Sequence, residues 1–277
     1  MPLWKLILTY DGTPFHGWQI QPALPTVQGT LAAALLHITG ESVLPQGSGR
    51  TDSGVHAHAQ VATVELNTLI PAANLFRALN DYLPASIRVT SAELAPVGFH
   101  ARHSARRKIY EYRIFTCSHY PGPALDSSIP VLCSPMLAPY VWDIRRPLAF
   151  EPLQLAAHHI LGTHDFTSFA AADPDLTTRE AAAAEPPEIP LHATNIRTVD
   201  LSHWTQHENL LTYRIAGSGF LHHMVRNLVG TFVQCALGRI APDTIPKILS
   251  ARDRSAAGPT APARGLFLVK VEYDQSP

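Results

Sequence analysis

The chain has 277 residues, 46% of them hydrophobic and 16% charged, with a mean hydropathy of +0.02. That is enough apolar material for one large domain or two small ones, and it excludes a disordered chain, whose burial is too small to offset the entropy of ordering. A net charge of −1 with a pI near 6.9 leaves no overall basic footprint of the kind phosphate binding produces, and no apolar run is long enough to predict a membrane span.

From the N-terminus, Leu3–Tyr10 reads as a strand ending at the turn Asp11-Gly12. It carries Lys5, and no small-residue cleavage pattern follows it, so no secretory leader is expected. Thr26 is placed to cap a helix through about Thr39, with Val27, Leu31, Leu35 and Ile38 on one side and Gly40 at the left-handed exit. Val43 and Leu44 suggest a short second strand, and residues 60–66 a third with period-two Ala62, Val64 and Leu66. Pro71 opens a second helix with Leu75, Leu79 and Tyr82 at helical spacing, and Pro84 stops it. Ile87–Leu94 completes the order β-α-β-β-α-β, the split βαβ arrangement.

The second half suggests a less regular repeat. Residues 108–116 form a Tyr- and Ile-rich strand, and residues 152–161 a helix closed by Gly162. Residues 194–203 and 210–216 read as paired strands, residues 221–237 as an amphipathic helix, and Leu266–Tyr273 as a last strand. The stretch 181–190 (AAAAEPPEIP) is of low complexity and broken by proline, which reads as a loop. The predicted class is α+β: two split-βαβ halves, residues 1–103 and 104–277, with mainly antiparallel sheet, helices on one face and a cleft between the halves. Cys117, Cys133 and Cys235 show no CxxC spacing, which argues for free thiols in a reducing compartment.

Three segments carry candidate chemistry. Residues 47–56 hold three glycines together with Arg50, Asp52 and His56. The segment lacks the Lys-Ser/Thr pair of a P-loop and the glycine spacing of a dinucleotide fingerprint. As composition alone, Asp52 there is a turn former or a carboxylate paired with a cation. Residues 99–113 set Arg102, Arg106, Arg107, Lys108 and Arg113 against Glu111, a local net of +4, with Tyr110 and Tyr112 interleaved. Such a mixture suits RNA bases and phosphates, although a charged strand edge that discourages sheet pairing has the same composition. The helix at 221–237 places Leu221, Met224, Val225, Leu228, Val229 and Phe232 on an apolar stripe, and His222, His223, Arg226 and Asn227 on another face.

These segments together resemble the tRNA pseudouridine synthase A family. GRTDSGVHA (49–57) resembles its GRTDAGVHA signature, with Ser53 in place of alanine. FHARHSARRKIYEY, FLHHMVRNLVG and GLFLVKVEY resemble further family blocks in the expected order, as do YDGTPFHGWQ and HDFTSF. The resemblance implies that Asp52 is the catalytic aspartate and Arg226 the residue that pairs with it. It implies that Tyr110 packs on the target base and that Arg50 contacts RNA; the charge of the 99–113 block in turn predicts Arg102, Arg106 and Arg107 as phosphate contacts. It also implies a cytoplasmic homodimer that acts on the tRNA anticodon stem-loop at positions 38 to 40. The reaction moves a glycosidic bond from N1 to C5 of uracil without redox chemistry or an added atom, so no cofactor and no metal are expected. A carboxylate serves it as nucleophile at the sugar or at the base, or as general base on the ribose, and the residues leave all three routes open.

Two rival readings come from the same residues. His56-Ala57-His58 near Asp52, with the pairs His158-His159 and His222-His223, raises a metal-dependent hydrolase, but no HExxH helix or Cys pair supports it. A non-catalytic RNA-binding module is the other, without an RNP-type aromatic motif in its strands.

Overall fold

A computed structural model describes residues 1–116, 131–172 and 195–274. The chain divides into two compact units. One comprises Met1–Arg113, Ser134–Trp142 and Ala263–Pro277, the other Ile114–Cys133 and Asp143–Pro262. It therefore crosses between units several times, where the sequence suggests a single boundary after residue 103.

In the first unit the predicted order holds. Strand β1 (Leu3–Tyr10) leads to helix α1 (Val27–Thr39), β2 (Gln46–Gly47), β3 (His56–Glu65), helix α2 (Ala72–Tyr82) and β4 (Ile87–Leu94). The Thr26 hydroxyl caps α1 by accepting from the Gly29 amide at 3.2 Å, and Gly40 leaves the helix at φ +75°. Val27, Leu31 and Leu35 are fully buried, each worth about 1.5–3 kcal/mol against exposure. α2 buries Leu75 and Leu79, while Tyr82 stays half-exposed and stacks on His37 at 4.4 Å.

The strands of this unit run β4-β1-β3-β10-β5, with β2 added beside β3. β5 is Ala105–Thr116, and β10 (Leu266–Tyr273) is the last strand of the chain. β10 lies parallel to β3 through Phe267↔His56 and antiparallel to β5, and the remaining pairings are antiparallel. Trp4, Leu6, Leu8 and Tyr10 alternate inward along β1, so one sheet face is covered and the other is half-open.

Two expectations need correction here. Val43 and Leu44 are not a strand: pairing begins at Gln46↔Thr63, after Pro45, whose carbonyl accepts from the Gln28 side chain at 2.8 Å. β3 starts at His56 rather than at residue 60, so the candidate Asp loop is only the eight residues 48–55.

The second unit carries the short strand β6 (Trp142–Ile144) at its border, then helix α3 (Phe150–His158) and strands β7 (Gly162–Asp165), β8 (Ile196–His207) and β9 (Leu210–Gly217). Helices α4 (Met224–Ala236) and α5 (Ile245–Ala251) follow. β7, β8 and β9 form antiparallel neighbours, and α3 packs on β8 and on α4. Trp204, Tyr213 and Phe232 pack together in the core, the first two rings tilted at 4.9 Å and the last two edge-to-face at 5.5 Å. The architecture is α+β with mainly antiparallel sheet. The stretch 181–190 and Cys117 lie outside the described residues. Cys235 is buried, and burial pushes its thiol up to about 11, which keeps it protonated. Among the described residues no helix is long and apolar enough to cross a membrane.

Candidate active site

The loop carrying Arg50 and Asp52 leaves β2 and enters β3 one turn later. Its flanks are anchored: Ser48, Thr51, Val55 and His56 are buried, whereas Asp52 is half-exposed and Arg50 exposed. The segment after β1 clasps it through the backbone. The Trp18 amide donates to the Thr51 carbonyl at 3.0 Å, and the Gly54 amide to the Phe15 carbonyl at 3.3 Å. Within the loop, the Val55 amide donates to the Asp52 carbonyl at 3.1 Å. Ser53, the departure from the family signature, donates its hydroxyl to Phe15 at 3.4 Å, so the extra oxygen has a partner. Gly17 sits at φ +89° against this loop, where a Cβ would lie 2.6 Å from the Thr51 carbonyl oxygen and 3.2 Å from the Asp52 carbonyl carbon. Only glycine fits both the backbone and the space.

Behind Asp52 stand two buried tyrosines. Tyr10 shares a 2.8 Å hydrogen bond with the Thr51 hydroxyl, and burial pushes its phenol up to about 12 despite partners Thr51 and Gln60. Tyr110, on β5, is 8% exposed, so little of its ring face reaches solvent. Burial raises its phenol well above the ordinary value, with smaller upward pushes from Tyr10 and from the Asp52 carboxylate. Tyr110 thus keeps a neutral hydroxyl, on which the Asp52 carboxylate acts electrostatically.

Four residues beyond Asp52, His56 forms a buried corner. Burial lowers its pKa, with Asp11 opposing, so the ring is neutral. Nδ1 has two neighbours at 3.1 Å, the Gly12 amide and the Asp11 carboxylate. A neutral ring accepts there from the Gly12 amide, while Nε2 donates to the Arg264 carbonyl at 3.1 Å. Asp11 in turn accepts from Thr13 and, at 3.1 Å, from the Tyr140 hydroxyl. His56 and His58 both stack on Phe267, at 4.7 and 5.3 Å. Both His56 nitrogens are engaged by backbone, which makes it a structural pin rather than a poised metal ligand.

The basic block is more tied down than its composition suggests. Arg106 pairs with Asp274 at 2.7 Å and Arg107 with Glu272 at 3.2 Å, across the β5–β10 ladder. Arg113 pairs with Glu111 at 2.8 Å and lies over the Phe267 ring at 4.1 Å. The Arg106 pair is about 70% exposed on both sides, so it contributes little and is easily exchanged for a phosphate. Arg102 is exposed in the turn before β5.

Arg226 belongs to the second unit, in the first turn of α4. Its Nε donates to the Ala261 carbonyl at 2.8 Å, and the Ala261 amide donates back to the Arg226 carbonyl at 3.1 Å. Next to it Asn227 is fully buried. Asn227 donates to the Phe169 carbonyl at 2.8 Å and accepts from Arg254 at 3.0 Å and Thr260 at 2.6 Å. This network holds the 254–261 segment against α4. The expected polar helical face therefore needs correction. Asn227 points into the core, and His223, at φ +58°, precedes the helix. That left-handed residue brings the His222 and His223 rings to 3.9 Å, and His222 bonds the Ala172 carbonyl at 2.9 Å.

A family model described as tRNA pseudouridine synthase matches residues 6–104 and 156–274, which include the Asp52 loop and Arg226, while β5 and Tyr140 fall between the two matched stretches. The chain belongs to the tRNA pseudouridine synthase family. Similar proteins include the tRNA pseudouridine synthase A of Moorella thermoacetica, 41% identical over 277 residues, 99% of this chain and all of the relative. That of Solibacter usitatus is 41% identical over 97% of this chain and 98% of its own length. That of Bacillus subtilis is 39% identical over 98% of both.

Tyr10, Gln60 and Thr51 behind the loop and Arg254 behind Arg226 were not among the residues the sequence marks for the site, and Asn227 was marked for the polar face rather than the core. Tyr10 had a signal, since it opens the YDGTPFHGWQ segment. Arg254 had none, because its role depends on where a loop 27 residues distant returns.

Proposed function

We propose that this chain isomerises uridine to pseudouridine in the anticodon stem-loop of tRNA, at positions 38, 39 and 40, with Asp52 as the reacting carboxylate. The observation that carries this reading is the Asp52 loop. A half-exposed carboxylate sits on a backbone clasped by residues 15–18, in electrostatic contact with the buried Tyr110. Within the family, a carboxylate at this position matches the chemistry. The C1′–N1 bond breaks, the uracil turns, C5 joins C1′, the C5 proton leaves and N1 gains one. Atoms and electrons balance without a co-reactant.

Asp52 supplies the nucleophilic or basic oxygen, and a rigid loop lowers the entropy of reaching the reacting geometry. Tyr110, neutral at any physiological pH, keeps an O–H donor and an apolar edge beside the extruded uracil. Arg226 pairs with Asp52 and keeps its carboxylate ionised and oriented. Arg50 and Arg102 contact phosphates, and Arg106 and Arg107 do so by exchanging their carboxylate partners. In this reading residues 1–103 bring the carboxylate and residues 104–277 bring Tyr110 and Arg226. The active species is a cytoplasmic homodimer.

The test is label release from tRNA carrying 5-tritiated uridine. The wild-type chain releases tritium in step with pseudouridine formation at positions 38 to 40. Asp52→Asn binds tRNA with affinity near wild type and releases none. Turnover by purified Asp52→Asn at the wild-type rate refutes the assignment, and tRNA binding without release by the wild type favours the RNA-binding module instead.

A further inference from the structure

One cation of the basic block is turned to a different use. Lys108 lies two residues before Tyr110 on β5 and so shares its face of the strand. Its ammonium is part-buried and donates to the Ser48 carbonyl at 2.8 Å, at the entry to the Asp52 loop. Ser48 itself is fully buried. Its amide donates to the Val61 carbonyl at 2.7 Å and its hydroxyl to Gln60 at 2.7 Å. Gln60 donates in turn to the Gly49 carbonyl at 2.9 Å. The two carbonyls that begin the loop are therefore both held, one by β3 and one by Lys108.

Gly49 records how closely the ammonium approaches. A Cβ on Gly49 would lie 2.9 Å from Lys108 Nζ and 3.8 Å from its Cε, and beyond its own chain neighbours it meets nothing else within 4 Å. The absence of a side chain at 49 is what admits the ammonium to the Ser48 carbonyl.

We propose that Lys108 is a positioning residue for the reaction: through the Ser48 carbonyl it sets the path of the loop and hence the aim of the Asp52 carboxylate, and it is not a phosphate contact. The inference rests on the reading of Asp52 as the reacting group. An ammonium tied to a carbonyl inside a polar network is costly to redirect to solvent, whereas a phosphate-binding lysine keeps its head group in water.

Two substitutions test it. Lys108→Met removes the donor. Gly49→Ala keeps the charge but displaces the ammonium, and only the end of a flexible side chain has to move. The readouts are the single-turnover rate of tritium release at saturating enzyme and the salt dependence of tRNA binding. Each single variant is expected to slow the rate about 10- to 100-fold, in line with the roughly 100-fold cost of a 1 Å misplacement. The salt slope stays at the wild-type value. In the Lys108→Met background Gly49→Ala has no further effect, because the atom it displaces is gone. A salt slope lower by about one phosphate contact with an unchanged rate overturns the proposal. So do losses that multiply in the double variant. Failure of the Asp52 reading shows separately, as label release by Asp52→Asn, and leaves the coupling between positions 49 and 108 measurable.

Discussion

Replacing Gly17 by alanine is a direct test of how the Asp52 loop is held. Two costs follow from the geometry. An L-residue at φ +89° loses about 1–2 kcal/mol to its own backbone. The new methyl would also lie 2.6 Å from the Thr51 carbonyl oxygen and 3.2 Å from both the Asp52 carbonyl carbon and the Ser53 nitrogen. Those are backbone atoms that no rotamer change can clear, so the loop retreats, and overpacking of this kind costs about 1–3 kcal/mol. The sum is about 2–5 kcal/mol of stability. The atoms that retreat are the peptide units on either side of the reacting carboxylate, so catalysis falls with stability. Urea unfolding gives the first quantity and single-turnover tritium release at saturating enzyme gives the second. The expected result is a variant that still folds in mild conditions, binds tRNA within a few-fold of wild type, and reacts roughly 100-fold more slowly. A variant within about 0.5 kcal/mol of wild type and fully active would refute the argument that residue 17 backs the catalytic loop.

Three further outcomes are expected. Arg226→Ala slows label release more than Arg226→Lys, since lysine keeps the charge but loses the planar fork, and neither change adds much once Asp52 is Asn; additive losses in a double-mutant cycle would separate the two residues. The folded pKa of His56 is below its unfolded value of about 6.5, chiefly through burial, so the unfolded chain binds the extra proton and stability falls as pH drops from about 7 through that value towards the folded one. His58 and His100 shift the same way, and His56→Gln removes part of the slope; identical slopes by equilibrium unfolding across this range would contradict the buried neutral ring. Arg102→Ser with Arg106→Ser flattens the salt dependence of tRNA binding by about one contact each while the rate at saturation is kept, and an unchanged slope assigns these charges to the fold.

Most elements of the first unit were legible from local sequence, apart from β2, which pairs at Gln46 rather than at Val43, and the start of β3. Thr26, Gly40, Pro71 and Pro84 mark helix ends through contacts a few residues long, and the alternation of Leu3–Tyr10 marks which side faces the core. The candidate site was legible as motifs: Asp52 between glycines, Tyr110 among cations, Arg226 near a histidine pair. What those residues touch was not. β10 lies between β3 and β5 although about 150 residues separate it from the nearer of them, and that insertion supplies the carboxylates that engage Arg106 and Arg107. The burial of Asn227 is set by Phe169, Arg254 and Thr260 arriving from elsewhere in the second unit, so a helical wheel drawn through residues 221–237 assigns it to solvent. The left-handed His223 likewise cuts the helix three residues short of where periodicity begins it. Periodicity, caps and turn chemistry act over about four residues and are written in the chain. The partner of each polar group depends on which distant backbone closes the loop entropy to reach it, and only the folded molecule decides that.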